Sequence, residues 1–183
     1  MILPEEKLTL KDGRTVIIRT PEEKDAQALL DYLKKTAGET DFLIRYPEEI
    51  TFTLESEYNI INSTRESEDS AWFTVFEGDR VVGNCTFSPI GSQMKFRHRC
   101  SIAIALEQSY CSCGLGAVLF ERAIDTARKI GYEQIELGVF EDNDRGRALY
   151  KKMGFEEYGR IPHAVRLKDG SYKDEITMVL FLQ

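Results

Sequence analysis

The segment between residues 100 and 131 constrains the fold most, because a strand pattern, a loop of small residues and an amphipathic helix follow one another there. The loop reads Cys-Ser-Cys-Gly-Leu-Gly from Cys111 to Gly116. After it, apolar residues recur at helical spacing, and Gly131 predicts the C-cap of this helix. A helix that begins at such a loop directs unpaired backbone N–H groups toward an anion, so the segment predicts a phosphate-binding loop. Considered alone, a plain strand-to-helix turn explains the loop equally well.

The remaining hydrophobic patterns predict a mixed α+β fold. Strand patterns cover residues 8–10, 16–19, 71–76, 81–87, 95–106, 135–139, 155–160 and 173–182. Helical patterns cover residues 20–37, 53–62, 116–130 and 144–153, and the stretch 62–70 is predicted to be a polar loop. In the first helix, Thr20 is the predicted N-cap and Pro21 the first residue, and the helix is predicted to end before Gly38. An antiparallel meander is the simplest arrangement of the strands between residues 71 and 106.

Length and composition bound the class of protein. The 183 residues are 42% hydrophobic and 30% charged, which predicts one globular domain over 1–183 and excludes disordered and fibrous classes. The apolar runs are too short to span a bilayer, and the N-terminus lacks a signal-peptide pattern, so we expect a cytoplasmic protein without membrane contact. A net charge of −7 disfavours nucleic-acid binding and mildly favours cationic acceptors, although most acidic domains are simply soluble.

The cysteines and histidines predict no metal site. The chain has four cysteines, at positions 85, 100, 111 and 113, and two histidines, and none of them shows the spacing of a zinc site. Cys85 and Cys100 lie in strand patterns and are predicted to be small core residues. Cys111 and Cys113 flank the predicted phosphate loop, where a thiol-based sensor is an alternative function.

A second segment, from Asn143 to Phe155, follows the loop after one helix and one strand. Before a helix, Asn143 is an ordinary N-cap, and its amide is also able to hydrogen-bond a ligand. Tyr150 is either a packed aromatic residue or a proton donor, because a phenol with a reference pKa of about 10 keeps its proton at neutral pH. The cationic side chains of this helix are most simply a solvated face, with contact to phosphates as the alternative: Arg145, Arg147, Lys151 and Lys152.

Together the two segments resemble the acyl-CoA site of the GNAT superfamily, the Gcn5-related N-acetyltransferases. The residues that match the family pattern are Gly114, Gly116, Asn143, Leu149, Tyr150, Gly154 and Phe155. The chain departs from it at Cys111, where the family usually has Arg or Gln, at Ser112 and Cys113, where a Gly and a cationic residue are frequent, and at Gly146 in place of Ala. The resemblance covers residues 70–180 well and the first 70 residues only by general pattern.

The resemblance implies a mostly antiparallel central sheet with helices on both faces, and acetyl-CoA as the cosubstrate. Carried over residue by residue, it implies that the end of the strand at Ile104, Ala105 and Leu106 holds the acyl end. It places the pyrophosphate at Cys111, Ser112, Cys113, Gly114, Leu115 and Gly116, and adds Asn143 as a ligand of the cofactor arm. Tyr150 is implied as the general acid that protonates the departing thiolate.

The implied reaction is direct transfer of an acetyl group from acetyl-CoA to a primary amine in a ternary complex, without a covalent intermediate. A base is then needed, because an alkylamine has a pKa of about 10.4. Some relatives that acetylate protein N-termini carry Glu at the position of Gly138, so Glu136, Glu48 and Glu49 are the remaining candidates here. The acceptor stays open between a small amine or polyamine, an amino-acid-like compound and a protein amine. We expect residues 20–62 and a loop over 160–173 to select it.

Two further alternatives follow from the sequence. The unusual Cys-Ser-Cys loop and the missing Glu leave open a non-catalytic acyl-CoA-binding or regulatory module with the same fold. Strands near the C-terminus are predicted to have exposed edges, and such edges would allow two copies of the chain to pair as a homodimer.

Overall fold

The computed structural model describes residues 1–182, in which eight strands form one mixed sheet. The strands are β1 (Glu6–Thr9), β2 (Thr15–Arg19), β3 (Ala71–Glu77), β4 (Arg80–Pro89), β5 (Arg99–Leu106), β6 (Gln134–Phe140), β7 (Glu156–Arg166) and β8 (Tyr172–Phe181). Their order across the sheet is β1-β2-β3-β4-β5-β6-β8-β7. Neighbours are antiparallel except β5 and β6, which are parallel because α3 crosses over between them. The predicted mixed, mostly antiparallel sheet is confirmed, and so is the meander of β3, β4 and β5.

Four α-helices cover the two faces of the sheet, as predicted: α1 (Ala26–Glu39), α2 (Leu54–Glu66), α3 (Leu115–Ile130) and α4 (Asp144–Lys152). Because strand side chains alternate between faces, each face has its own core. The larger core packs α3 and α4 against residues such as Cys85 and Ile102. The smaller core packs α1 and α2 against Trp72 and Phe76 of β3. In the following, the two surfaces are called the α3–α4 face and the α1–α2 face.

The predicted boundaries of α1 are wrong at both ends. Thr20 is not its N-cap, since the Thr20 hydroxyl accepts a hydrogen bond from the backbone N–H of Leu3, at 2.9 Å. A 3-10 turn at Glu23–Asp25 comes first, held by a capping box between Glu22 and Asp25. Gly38 lies inside the helix, because it does not adopt the left-handed conformation with which a glycine ends a helix.

Three further boundaries differ from the sequence prediction. Helix α2 begins after its N-cap Thr53, at the start of the predicted range, but continues to Glu66 through residues predicted to be loop. There the Ser63 and Thr64 hydroxyls bond back to the carbonyl of Ile60. Strand β5 begins at Arg99 rather than at residue 95. The predicted loop over 160–173 is mostly strand, because β7 and β8 pair up to Arg166 and Tyr172 and leave only residues 167–171 as the connection.

Within the described residues, no helix has the length and apolar character that would carry it across a membrane.

Candidate functional site

The sheet contains a gap between β5 and β6. These strands pair over only three positions, Arg99–Ser101 with Gln134–Glu136. Beyond Ser101, β5 continues to Leu106 and β6 to Phe140 without pairing with each other. The strands therefore diverge, and the backbone of β5 from Ile102 onward is paired on its β4 side alone. An extended ligand arm fits at such an edge, since the unpaired peptide groups can bond to it.

The structure brings the predicted end of β5 next to the beginning of α4. Leu106 and Asn143 line one cleft of about 410 Å³, together with residues of the segments that follow α1 and β6. Ile104 and Leu106 point into the α3–α4 core, and the Ala105 carbonyl accepts a hydrogen bond from the Tyr32 hydroxyl at 2.7 Å. The latter bond ties the end of β5 to α1.

A buried carboxylate fixes the turn between β5 and the loop that precedes α3. Glu107 is 2% exposed and pairs with Lys35 of α1 at 2.7 Å and with Arg80 of the β3–β4 hairpin at 3.2 Å. Beside it, the Gln108 backbone N–H donates to the Glu39 carboxylate at 2.7 Å. A charge this deeply buried is retained only with such partners. These contacts hold the loop against α1, and the sequence alone gave no sign of them.

The loop before α3 presents a row of unpaired backbone donors. The first backbone bond of the helix is from Val118 N–H to the Gly114 carbonyl, and no N–H from Ser112 to Ala117 has a backbone partner within residues 1–182. These donors lie at the positive end of the dipole of a 16-residue helix. The arrangement is suited to bind a phosphate or pyrophosphate group.

The two glycines of the loop are needed for different reasons. Gly114 has a φ of +92°, in the left-handed region that a side chain rarely adopts. Gly116 is helical and buried, and a Cβ there would lie 3.1 Å from a methyl group of Leu149 and 3.7 Å from one of Leu106. Gly116 thus allows α3 to approach α4 and β5 closely. Leu115 is fully buried in the core and offers only its backbone to a ligand.

The thiols of the loop bond to their own backbone. The Cys111 thiol donates to the Glu107 carbonyl at 3.6 Å, and the Cys113 thiol to the Tyr110 carbonyl at 3.0 Å. Burial raises the pKa of Cys111, with Arg145 acting in the opposite direction, so the reactive thiolate is disfavoured. This geometry speaks against the thiol-sensor alternative. Residues 1–182 hold no cluster of three or more His, Cys, Asp or Glu side chains able to bind a metal ion.

Two cations approach the loop from distant parts of the sequence. The aliphatic end of Lys11, in the β1–β2 hairpin, lies within 3.4 Å of the position that a Cβ of Gly114 would take. Arg145 of α4 lines the cleft and lies close enough to Cys111 to affect its pKa. Neither forms a salt bridge within the described residues, whereas Arg147 and Lys151 both pair with Glu157. Sequence reasoning missed Lys11 because it is about 100 residues from the loop.

Asn143 is the N-cap of α4 and a lining residue of the cleft. Its side-chain oxygen accepts a hydrogen bond from the Gly146 N–H at 2.9 Å. The Asn143 amide also occupies the space beside Gly146, where a Cβ would lie 2.8 to 3.0 Å from it. The glycine that departs from the family pattern thereby lets the cap pack closely against the helix.

Tyr150 lies in the α3–α4 core, directed toward the middle of the sheet. Its ring packs against Phe120, with centroids 5.2 Å apart, and against Phe155. Burial raises the pKa of Tyr150 to about 12, and the nearby Cys85 acts in the same direction. Cys85 pairs with Ile104, so the phenol is close to the part of β5 where the strands diverge. At neutral pH such a phenol holds a proton that it can donate.

The three carboxylates considered as bases are all engaged. Glu136 forms a bidentate pair with Arg99, at 2.5 and 2.8 Å, and this bond lowers the pKa of Glu136. Glu48 pairs with Lys168, and Glu49 accepts a hydrogen bond from the backbone of Tyr46. Because Arg99 stabilises its ionised form, Glu136 is a weak proton acceptor.

Comparison with known proteins agrees with this geometry. The profile of the Acetyltransferase (GNAT) family matches residues 26–155. An acetyltransferase of the GNAT family from Streptococcus pneumoniae superposes with a TM-score of 0.86 at 26% identity, over 91% of this chain and 99% of that one. A putative acetyltransferase from Salmonella typhimurium, solved with its cofactor acetyl-CoA, superposes with a TM-score of 0.79 at 21% identity. The superposition covers 92% of this chain and 94% of that one. A ribosomal-protein-alanine N-acetyltransferase from Brucella melitensis superposes with a TM-score of 0.78 at 23% identity, over 90% of this chain and 99% of that one.

The family profile runs from the first residue of α1 to Phe155 and so includes the diverging strands, the loop before α3 and α4. Since it covers most of the sequence, and since the fold is that of the solved GNAT structures, this chain belongs to the GNAT family of acetyltransferases.

Proposed function

We propose that this protein is an N-acetyltransferase that moves an acetyl group from acetyl-CoA to a primary amine by direct transfer in a ternary complex. The observation that carries the proposal is the row of unpaired N–H groups from Ser112 to Ala117, which lies beside the gap between β5 and β6. The Salmonella relative is described with acetyl-CoA as its cofactor. The pyrophosphate of this ligand suits the loop, and its extended arm suits the free edge of β5.

Each predicted site residue has a role in this proposal. Backbone donors of the loop bind the pyrophosphate, and Lys11 and Arg145 supply the positive charge that the side chains at 111 and 113 lack. The backbone of β5 from Ile104 to Leu106, with Asn143, orients the arm of the cofactor. Tyr150 donates its proton to the thiolate as the carbon–sulfur bond breaks.

Isothermal titration with acetyl-CoA and with CoA tests the binding step, and an amine panel read by release of free CoA tests transfer. We expect micromolar binding and turnover of at least one class of amine. The panel contains polyamines, amino acids and peptides with free N-termini, because the chemistry of the acceptor segment does not favour one class. Lack of binding by either ligand would refute the proposal.

A non-catalytic acyl-CoA-binding module is the second candidate, favoured by the absence of cationic side chains from the Cys-Ser-Cys loop itself. Such a module binds acetyl-CoA and releases no CoA with any amine. Transfer activity that is lost in Tyr150→Phe while acetyl-CoA affinity is retained identifies the enzyme.

All four cysteines are free thiols in the structure, and two of them are buried in strands. Free thiols persist in a reducing compartment. They support a cytoplasmic location for the proposed enzyme.

A further inference from the structure

Gly138 occupies a key position on β6. Its neighbours Leu137 and Val139 point into the α3–α4 core, so Gly138 faces the α1–α2 side of the sheet. Glu136 is the last residue of β6 that pairs with β5, and Gly138 is the next position on the same face. Gly138 therefore lies where the two strands begin to diverge.

The space that a side chain at 138 would fill is taken by Glu175 of β8. A Cβ on Gly138 would lie 2.6 Å from the carboxyl carbon of Glu175, and 2.7 and 2.8 Å from its two oxygens. In the sheet, Glu175 is opposite Phe140 and Thr177 is opposite Gly138. The Glu175 side chain thus lies along the strand toward Gly138, which brings its carboxylate over the beginning of the gap.

This carboxylate has no partner within residues 1–182, and it is only partly buried. Its charged neighbours are engaged with other groups: Arg160 with Glu141 and Asp174, Lys173 with Asp142, and Glu136 with Arg99 and Tyr158. On β7, the residue opposite Glu175 is the apolar Ile161, and the backbone of His163 bonds to Asp174. Glu175 is left as an unpaired acceptor at the diverging strands.

We propose that Glu175 is the catalytic base, and that its carboxylate contacts the acceptor ammonium group and takes its proton. This inference rests on the proposed acetyltransferase function. Glu175 and Tyr150 lie on opposite faces of the sheet, with the gap between β5 and β6 separating them. The amine then approaches the thioester from the α1–α2 face, and the thiolate departs beside the phenol on the α3–α4 face.

The step balances as follows. Glu175 accepts one proton from the ammonium group, and the amine nitrogen forms a bond to the carbonyl carbon of the thioester. The carbon–sulfur bond breaks, its electron pair stays on sulfur, and the thiolate takes the proton of Tyr150. The second proton lost by the nitrogen returns to the Tyr150 oxygen through water, and Glu175 gives its proton to the solvent. The products are the amide, CoA and one proton.

Substitutions at two positions, 175 and 138, test this role. Glu175→Gln removes the base and keeps the shape, and we expect kcat/KM to fall by about 100-fold or more, the typical contribution of general base catalysis. The acidic limb of the pH profile of kcat/KM should disappear with it, and Glu175→Asp should restore part of the rate. Gly138→Ala places a methyl group against the flexible end of Glu175 and should displace the carboxylate, with about a tenfold loss of kcat.

Matched controls separate the proposed role from general damage. Glu156→Gln removes the same charge from the exposed start of β7. Gly159→Ala brings a Cβ within 2.6 Å of the Thr177 hydroxyl on the same sheet and leaves Glu175 untouched. Both controls should keep the activity of the unmodified protein within about twofold. All variants should retain its affinity for acetyl-CoA, measured by titration, and the Glu175 and Glu156 variants should also retain its melting temperature.

The results distinguish the two levels of the proposal. If the unmodified protein transfers acetyl groups and Glu175→Gln keeps its rate and pH profile, Glu175 is not the base and the proposed function stands. A rise in KM alone, with an unchanged pH profile, also overturns the base role. If the unmodified protein shows no transfer to any amine, the acetyltransferase function fails and the role of Glu175 fails with it.

Discussion

Replacing Tyr150 with phenylalanine removes one oxygen atom and keeps a ring that packs in the core. The ring is 9% exposed and lies 5.2 Å from Phe120 and 6.2 Å from Phe155, and both contacts survive in the variant. Burial and Cys85 account for the raised pKa of Tyr150, with no hydrogen bond among the causes. Loss of the hydroxyl therefore breaks no hydrogen bond, and it should change the free energy of unfolding by no more than about 1 kcal/mol. We expect a melting temperature that is unchanged or up to about 4 °C higher.

The effect on catalysis should be large and negative. Without the phenol, the thiolate must leave unprotonated or take its proton from water, and general acid catalysis contributes about 100-fold or more. A 100-fold loss of kcat corresponds to about 2.7 kcal/mol of transition-state stabilisation. Because the pKa of Tyr150 is about 12, the phenol is protonated throughout the neutral range, and the activity of the unmodified protein should show no alkaline decline from this group there.

The assay is steady-state release of free CoA, combined with titration of acetyl-CoA and thermal unfolding. Tyr132→Phe is the matched control, because the Tyr132 hydroxyl donates to the Asp69 carbonyl at 2.9 Å and lies in the same core. That variant should lose about 1 kcal/mol of stability and keep its kcat. A Tyr150→Phe protein with kcat within about twofold of the unmodified enzyme would refute the acid role.

Further predictions concern the loop and one buried carboxylate. Gly114 has a φ of +92°, so Gly114→Ala should introduce a backbone strain of about 1–2 kcal/mol and lower the melting temperature by about 2–8 °C. The same variant should bind acetyl-CoA more weakly. An unchanged melting temperature would contradict the left-handed turn. Lys11→Ala and Arg145→Ala should each raise the Kd of acetyl-CoA by about fivefold, about 1 kcal/mol, with the effect shrinking in high salt, while the paired Lys151→Ala should not. Burial raises the pKa of Glu57, so its ionisation destabilises the fold as pH rises; Glu57→Gln should melt higher than the unmodified protein at pH 8, and the difference should shrink toward pH 4. A difference that is independent of pH would rule out this assignment.

The sequence was most informative where the structural signal is local. Helix α3 was predicted correctly, because its apolar face and its Gly131 C-cap are signals within a single helix. The ends of α1 were predicted wrongly for the opposite reason. The Thr20 hydroxyl accepts a hydrogen bond from Leu3, which is far from it along the chain, and so does not cap the helix. A glycine such as Gly38 ends a helix in this way only if its φ is positive, and the φ of Gly38 is not. The last residues of α2 are polar and were therefore predicted to be loop, but they are helical, and their hydroxyl groups bond back to the backbone.

The parts of the proposed site that depend on nearby residues could be predicted from the sequence. They are the loop with its free N–H groups, Asn143 as the N-cap of α4, and Tyr150 on the buried side of that helix. Tertiary structure alone decided which distant side chains join them. Lys11 reaches the loop from the first hairpin, and Glu175 reaches the space over Gly138 from the last strand. Both placements depend on strand register and on where β5 and β6 separate. These are set by hydrogen bonds between segments far apart in the chain, which no local pattern encodes.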